Sequence, residues 1–213
     1  MPFLHVIPEP ADLTSAASAV AKGLTRADWV CHPGFLSADR IMGLRAEAER
    51  LRADGAFRAA GIGHMADRRT DVRGDEIFWL EKGAGTPEAQ RLVHGEIAAL
   101  QRAINEETYL GLDEFEGHYA AYPPGSAYAR HLDRFREDNQ RVVSLVLYLN
   151  EAWTEEAGGE LCLYGSPDAQ TPAARIQPQG GTLVCFLSEQ VPHEVLIARR
   201  TRLSLTGWFR RRA

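Results

Sequence analysis

Between residues 114 and 210 the chain is cut into short β-rich runs by Pro, Gly, Asn and Asp, and this punctuation limits its folding options more than any other feature. The runs are Glu114 to Tyr122, Ala127 to Asp133, Arg141 to Leu149, Glu160 to Tyr164, Gly181 to Leu187, His193 to Ile197 and Arg202 to Arg210. Gly158-Gly159 and Gly180-Gly181 mark tight turns at strand entries. Short strands in series after helices indicate an α+β chain whose core is a β-sandwich or barrel, and a jelly roll fits this number of strands.

The preceding residues supply the helices. Ala11 to Arg26 has few breakers, an acidic first turn at Asp12 and apolar residues at Leu13, Ala16, Ala17, Val20 and Leu24, the spacing of an amphipathic helix. Asp28 to Cys31 is a short extended piece. Ser37 then caps a second helix to about Ala53, with Ile41, Leu44, Ala48 and Leu51 as its buried stripe and Asp54-Gly55 as its stop. Pro87 opens a third, in which Leu92, Val93, Glu96, Ile97, Leu100 and Ile104 repeat at helical spacing. Ala59 to Arg73 is polar, charged and broken by glycine, which predicts a strand leading into a long exposed loop of the kind that act as lids. Arg73-Gly74-Asp75 reads as turn chemistry before a strand from Glu76 to Leu80, not as an adhesion motif, because no export signal is evident.

A chain of 213 residues, 45% hydrophobic and 25% charged, is long enough for a well-buried core and does not have the composition of a disordered protein. We expect one domain over residues 1–213, with helical support from about 11 to 107 and a jelly-roll core from about 114 to 210. No apolar run is long enough to span a bilayer and no basic-then-apolar leader is present, so a cytoplasmic protein without a membrane partner is expected. The net charge of −5 gives no general attraction to nucleic acid. Arg199, Arg200 and Arg210 to Arg212 read as a solvated rim and tail. Cys31, Cys162 and Cys185 are odd in number and lack C-x-x-C spacing; the last two sit in apolar runs and read as small buried hydrophobes of a reducing compartment. Trp29, Trp79 and Trp153 are assigned to packing.

The chemistry starts from YPPGSAYARHLD, residues 122–133. In an extended strand, residues two apart share a face, so His131 and Asp133 would aim an imidazole and a carboxylate at one point. A second histidine would complete a 2-His-1-carboxylate face with open positions, the arrangement of non-haem Fe(II) oxygenases. His94-Gly95-Glu96 cannot serve, since it lies in a helix-period segment where i and i+2 diverge by roughly 200°. His193, in Val191-Pro-His-Glu-Val195, enters a strand and is the candidate. Arg202 adds weight: period two puts Arg202, Ser204 and Thr206 on one face and Leu203 and Leu205 on the other. In RVVSLVLYLN, Ser144, Val146 and Tyr148 share a face in the same way, opposite Val143, Leu145, Leu147 and Leu149. A buried Arg202 needs an anion, supplied either by a diacid cosubstrate with Tyr148 as a further donor or by an internal Asp or Glu.

Taken together, H-x-D at 131–133, P-H-E-V at 192–195 and R-x-S-x-x-G-W at 202–208, with GGELCLY between them, resemble the Fe(II)/2-oxoglutarate-dependent dioxygenases. The resemblance is to the prolyl 4-hydroxylase-like branch, which includes bacterial relatives of the oxygen-sensing prolyl hydroxylases, and it covers about Ala59 to Arg210. It implies a double-stranded β-helix core of the jelly-roll, cupin-like kind, with His131, Asp133 and His193 as iron ligands. It further implies that Arg202 and Tyr148, with Ser204 on the same face, clamp 2-oxoglutarate, that Tyr122 lies near this cosubstrate, and that Arg141 and Trp208 stand near the substrate mouth. Residues Met65 to Arg73 are similar to the segment that closes over a bound peptide in that branch, and Arg68, Arg69 and Arg73 would suit an acidic or backbone-rich peptide.

The reaction so implied uses O2 as second cosubstrate, allows ascorbate as an accessory reductant, and turns 2-oxoglutarate into succinate and CO2 while a C–H bond is hydroxylated. The expected target is a prolyl residue of another protein, with a component of the translation machinery as a candidate. Hydroxylation of a free amino acid or small metabolite, and a non-enzymatic cupin-like metal or diacid sensor, are the alternatives. Because His131 and His193 must be neutral to bind a metal, affinity is expected to fall below about pH 6.

Overall fold

The protein is described by a computed structural model covering residues 12–61, 72–81, 83, 85–133 and 140–212. Three helices come first: α1 (Leu13–Leu24), α2 (Ala38–Ala53) and α3 (Glu88–Thr108). Asp12 caps α1 by accepting the Ser15 N–H at 2.8 Å, and Ala16, Ala17, Val20, Ala21 and Leu24 form its buried face. Ser37 precedes α2 in extended conformation, but its hydroxyl makes no capping bond. On α3 the buried stripe is Gln90, Val93, Ile97, Leu100 and Ile104. Leu92 and Glu96, expected in that stripe, lie outside it: Leu92 is 36% exposed, and Glu96 turns to Arg40 at 3.4 Å. Gln90 is buried because its amide bonds both Glu47 of α2 and the Glu81 backbone N–H.

Among the described residues eleven strands follow or interleave: β1 (Trp29–His32), β2 (Arg58–Ala59), β3 (Glu76–Trp79), β4 (Leu112–Tyr122), β5 (Tyr128–His131), β6 (Arg141–Tyr148), β7 (Leu161–Leu163), β8 (Ala174–Ile176), β9 (Leu183–Leu187), β10 (His193–Val195) and β11 (Arg202–Arg211). They form a larger sheet, β1-β9-β6-β11-β4-β3-β2, and a smaller one, β5-β10-β7-β8. Every registered pair is antiparallel. The result is the expected jelly-roll, double-stranded β-helix core with helical support. The three residues of β8 have no counterpart among the runs read from sequence, since alternation over only three residues is too short to signal a strand and its pairing with β7 makes it one.

Alternation in β6 and β11 separates two cores. Val143, Leu145 and Leu147, with Leu203, Leu205 and Phe209, pack with the helices in one cluster. Val146 and Tyr148 join Leu161, Leu163, Phe186 and Val195 in a second, between the sheets. The polar face of β11, bearing Arg202 and Ser204, is thereby directed into the space between the two sheets. Cys31, Cys162 and Cys185 are free and buried, and the Trp153 indole donates to the Gly158 carbonyl at 2.8 Å. Among the described residues no helix is long and apolar enough to cross a membrane. Residues 65–71 of the expected substrate-closing segment, with Arg68 and Arg69, lie outside the described residues.

Candidate functional site

His131 ends β5 and His193 begins β10, and the two are direct cross-strand partners with rings 4.2 Å apart. Asp133 lies two residues beyond the end of β5, so strand alternation does not aim it, contrary to expectation. Ser144 on β6 of the other sheet does: its hydroxyl donates to Asp133 Oδ2 at 2.6 Å and lies 2.9 Å from the Ser188 hydroxyl. Asp133 Oδ1 is 3.5 Å from His131 Nε2, and Oδ2 is 3.7 Å from His193 Nε2. One ligand atom from each residue lies within 4.8 Å of the others, close enough to hold one metal ion.

The tautomers suit that use. His131 Nδ1 is 2.8 Å from the Ala129 carbonyl, and His193 Nδ1 is 3.0 Å from that of Val191. A carbonyl only accepts, so both Nδ1 atoms carry the proton and both Nε2 lone pairs are left for a metal. Burial pushes His193 down to about 4 against the opposing pull of Asp133, so this imidazole stays neutral well below the expected pH 6. Burial works against ionisation of Asp133, but His193, His131 and the Ser144 hydroxyl more than offset it and hold the carboxyl below the usual range.

The cavity beneath is lined by His131, Asp133 and His193 together with Arg202, Tyr122 and Phe186, among others. Arg202 is 2% exposed; its Nε donates to the Gly159 carbonyl at 2.9 Å, and its guanidinium carbon is 4.9 and 5.0 Å from the ring centres of Tyr122 and Tyr148. Among the described residues no carboxylate lies within ion-pair distance of it, so the internal ion pair left open by the sequence is not formed there. The buried Tyr148 hydroxyl has no hydrogen-bond acceptor among the described residues and feels chiefly its own burial and the neighbouring Arg202 guanidinium. Burial raises Tyr148 and Tyr122 well above the usual phenol range, so both are donors at neutral pH. A buried guanidinium with no carboxylate beside it among the described residues, next to a buried hydroxyl, fits the distal carboxylate of a diacid. Gly159 makes the approach possible: its φ is +72°, and a Cβ there would meet Arg202 Cδ at 3.1 Å.

Not every expected residue reaches the cavity. Ser204 and Tyr148 do not line it: the Ser204 hydroxyl pairs with Thr206 at 3.1 Å, and Tyr148 is fully buried beside Arg202. Trp208 lines the wall, while Arg141 does not; its guanidinium stacks 3.5 Å from the Trp208 ring centre and bonds Glu116 at 3.1 Å. Other wall residues are Arg73, expected to meet a peptide but paired within the chain, and Asp75, Tyr128 and His118, to which the sequence assigned no site role. Arg73 forks onto buried Asp75 at 2.6 and 2.9 Å and covers the Tyr128 ring, which stacks on His131 at 3.7 Å. The turn read from Arg73-Gly74-Asp75 is thus a wall of the cavity. His118, four residues before Tyr122 on β4 and so on the same face, is fully buried there. Trp79, assigned to packing, is 47% exposed and stands edge-on to His118.

A jelly roll in which one cavity is lined by two histidines, one carboxylate and a buried arginine has the arrangement of a non-haem iron oxygenase scaffold. A family model described as the 2OG-Fe(II) oxygenase superfamily matches residues 117–210. The crystal structure of a Pseudomonas putida prolyl-4-hydroxylase is 44% identical, with a TM-score of 0.82, over 92% of this chain and 100% of that one. A Trichoplax adhaerens prolyl hydroxylase, solved in complex with a hypoxia inducible factor oxygen degradation domain peptide fragment, superposes with a TM-score of 0.84 over 95% of this chain and 94% of that one, at 24% identity. Human Egl nine homolog 1 is 31% identical over 82% of this chain, which spans 42% of the human protein's length. The chain therefore belongs to the 2OG-Fe(II) oxygenase superfamily, in its prolyl 4-hydroxylase-like branch.

Proposed function

We propose that the protein is a 2-oxoglutarate-dependent dioxygenase that hydroxylates a prolyl residue in a protein or peptide. One observation carries the reading: a metal-competent trio and a buried arginine lacking a carboxylate open into a single cavity. His131, Asp133 and His193 would hold Fe(II), and Arg202 with Tyr148 would hold the distal carboxylate of 2-oxoglutarate, with Tyr122 beside it. When bound, Fe(II), 2-oxoglutarate and O2 supply an oxidative decarboxylation to succinate and CO2 coupled to hydroxylation of a C–H bond.

The chain's own part is positioning and exclusion. The backbone carbonyls of Ala129 and Val191 keep both imidazoles in the metal-binding tautomer, and Ser144 orients the carboxylate. Arg202 and Tyr148 fix one end of the diacid so that its other end can meet only the metal side of the cavity. Val146, Leu161 and Phe186 line the remaining wall with apolar surface and keep water from competing there.

The prolyl target is supported by the 44% identity to the Pseudomonas putida prolyl-4-hydroxylase over nearly the whole of both chains. We propose a cytoplasmic enzyme of one domain, and a proline-bearing segment of a translation component as the first target to examine. The test compares the proteomes of cells with and without the protein for prolyl residues carrying one added oxygen. Such a residue, reproduced with purified protein, Fe(II) and 2-oxoglutarate, supports the reading. An unchanged proteome beside a hydroxylated small metabolite would move the substrate class to free amino acids or metabolites.

A further inference from the structure

His118 is 1% exposed, and neither ring nitrogen has a hydrogen-bond partner among the described residues. An imidazole always has at least one N–H to donate, and a buried one left unpaired is costly. Such a residue is accounted for when something that enters the cavity bonds to it.

Register shows which reactant that is. On β4 and β11, Tyr122 faces Arg202 and His118 faces Thr206, so His118 stands four residues from the clamp, about 13 Å along the strands. Across the sheet, β11 separates β4 from β6, whose Ser144 holds Asp133. His118 therefore shares a sheet face with Ser144, two strand spacings across and two residues along from it, about 12 Å, and that face looks toward the imidazoles of the smaller sheet. A diacid stretched between Arg202 and the metal leaves this wall to the second reactant.

The neighbours describe that reactant. The ring centres of Trp79 and Trp208 are 4.9 and 5.5 Å from that of His118, and Trp79 is half exposed. The buried Trp208 indole N–H also has no hydrogen-bond partner among the described residues. The cavity wall here therefore presents the Trp208 ring and two donors without a described acceptor, while Trp79, whose ring centre is 6.5 Å from that of Trp208, packs against both and is not among the lining residues. A prolyl residue in a peptide matches this wall: the saturated ring presents C–H groups to an aromatic face, and with no N–H of its own it offers carbonyl acceptors on either side.

We propose that His118 is a substrate-positioning residue, its imidazole donating to a backbone carbonyl beside the target prolyl ring on the cavity wall it shares with Trp208. The inference rests on the prolyl-hydroxylase reading above. It assigns His118 no part in holding the metal or the diacid.

The probe is a pool of N-acetylated, C-amidated peptides with a fixed central proline and randomised flanks. Succinate formation is followed against pool concentration for the wild type, His118→Phe, which keeps a ring without nitrogen, and His118→Asn, which restores a donor. His118→Phe is expected to keep the rise in melting temperature given by Mn(II) with 2-oxoglutarate, and to lose about 10-fold or more in peptide-dependent kcat/KM, largely through KM. His118→Asn should recover part of that loss. Wild-type kcat/KM in His118→Phe overturns the assignment while the prolyl reading stands. Loss of the Mn(II) and 2-oxoglutarate response in His118→Phe also overturns it, since His118 would then serve the centre itself. No stimulation of the wild type by the pool overturns the prolyl-peptide reading and this inference with it; a retained thermal response would leave the metal and diacid assignments in place.

Discussion

The Ser144 hydroxyl donates a 2.6 Å hydrogen bond to Asp133 Oδ2, joining β6 of the larger sheet to the carboxylate that stands beside two imidazoles of the smaller one. Asp133 lies two residues beyond the end of β5, and this bond orients its carboxylate. Ser144→Ala should therefore weaken Mn(II) binding by about 10- to 100-fold while the fold persists. Titration of the two proteins with Mn(II) checks this, and equal affinities would remove Ser144 from the site.

Arg202 is buried against Tyr122 and Tyr148 with only the Gly159 carbonyl as a described hydrogen-bond acceptor. Arg202→Met should leave the protein without 2-oxoglutarate as stable as the wild type or more so, because a buried charge lacking a carboxylate is replaced by apolar volume. The same variant should lose the melting-temperature rise given by 2-oxoglutarate and keep that given by Mn(II) alone. Asp133→Ala should do the reverse for the metal response. A full 2-oxoglutarate response in Arg202→Met would show that the diacid binds elsewhere.

Gly159 carries a positive φ of +72° and leaves 3.1 Å between a notional Cβ and Arg202 Cδ. Gly159→Ala should cost about 1–2 kcal/mol of stability and displace the guanidinium. Its signature is a raised 2-oxoglutarate dissociation constant, by about 10-fold, beside near-normal Mn(II) affinity. Calorimetric titration with each ligand separates the two effects.

Burial lowers His118 from 6.5 to about 3 and His193 to about 4. For both, the unfolded chain takes up a proton at higher pH than the folded protein does. Unfolding is thus accompanied by proton uptake, and stability falls as pH drops from about 6.5 toward 3. Urea unfolding of the metal-free protein at pH 7.5 and pH 4.5 should differ by a few kcal/mol, on the order set by shifts of this size. His118→Phe should flatten that slope, and an unchanged slope would place the lost stability at other groups.

Much of this was written in local pattern. Period two along β6 and β11 sorted Leu145 and Leu147 from Tyr148, and Leu203 and Leu205 from Arg202, because each face of a strand must meet either a core or a cavity. Helical spacing located α1 to α3 within a few residues, while Leu92 and Gln90 exchanged roles through a polar bond to Glu47 that spacing does not reveal. The residues of the candidate trio could be named because His-x-Asp and Pro-His are local signatures.

What distance along the chain conceals is which residues meet. The pairing of β5 with β10 sets His131 opposite His193, and Ser144 reaches Asp133 from another sheet. Register alone brings His118 beside Trp208 and Trp79, and the Arg73 to Asp75 fork under Tyr128 turns an apparent loop motif into cavity wall. Alternation records which face a side chain takes, since that follows from its own backbone. Its neighbours across the cavity depend on how two sheets close over each other, and only the folded chain decides that.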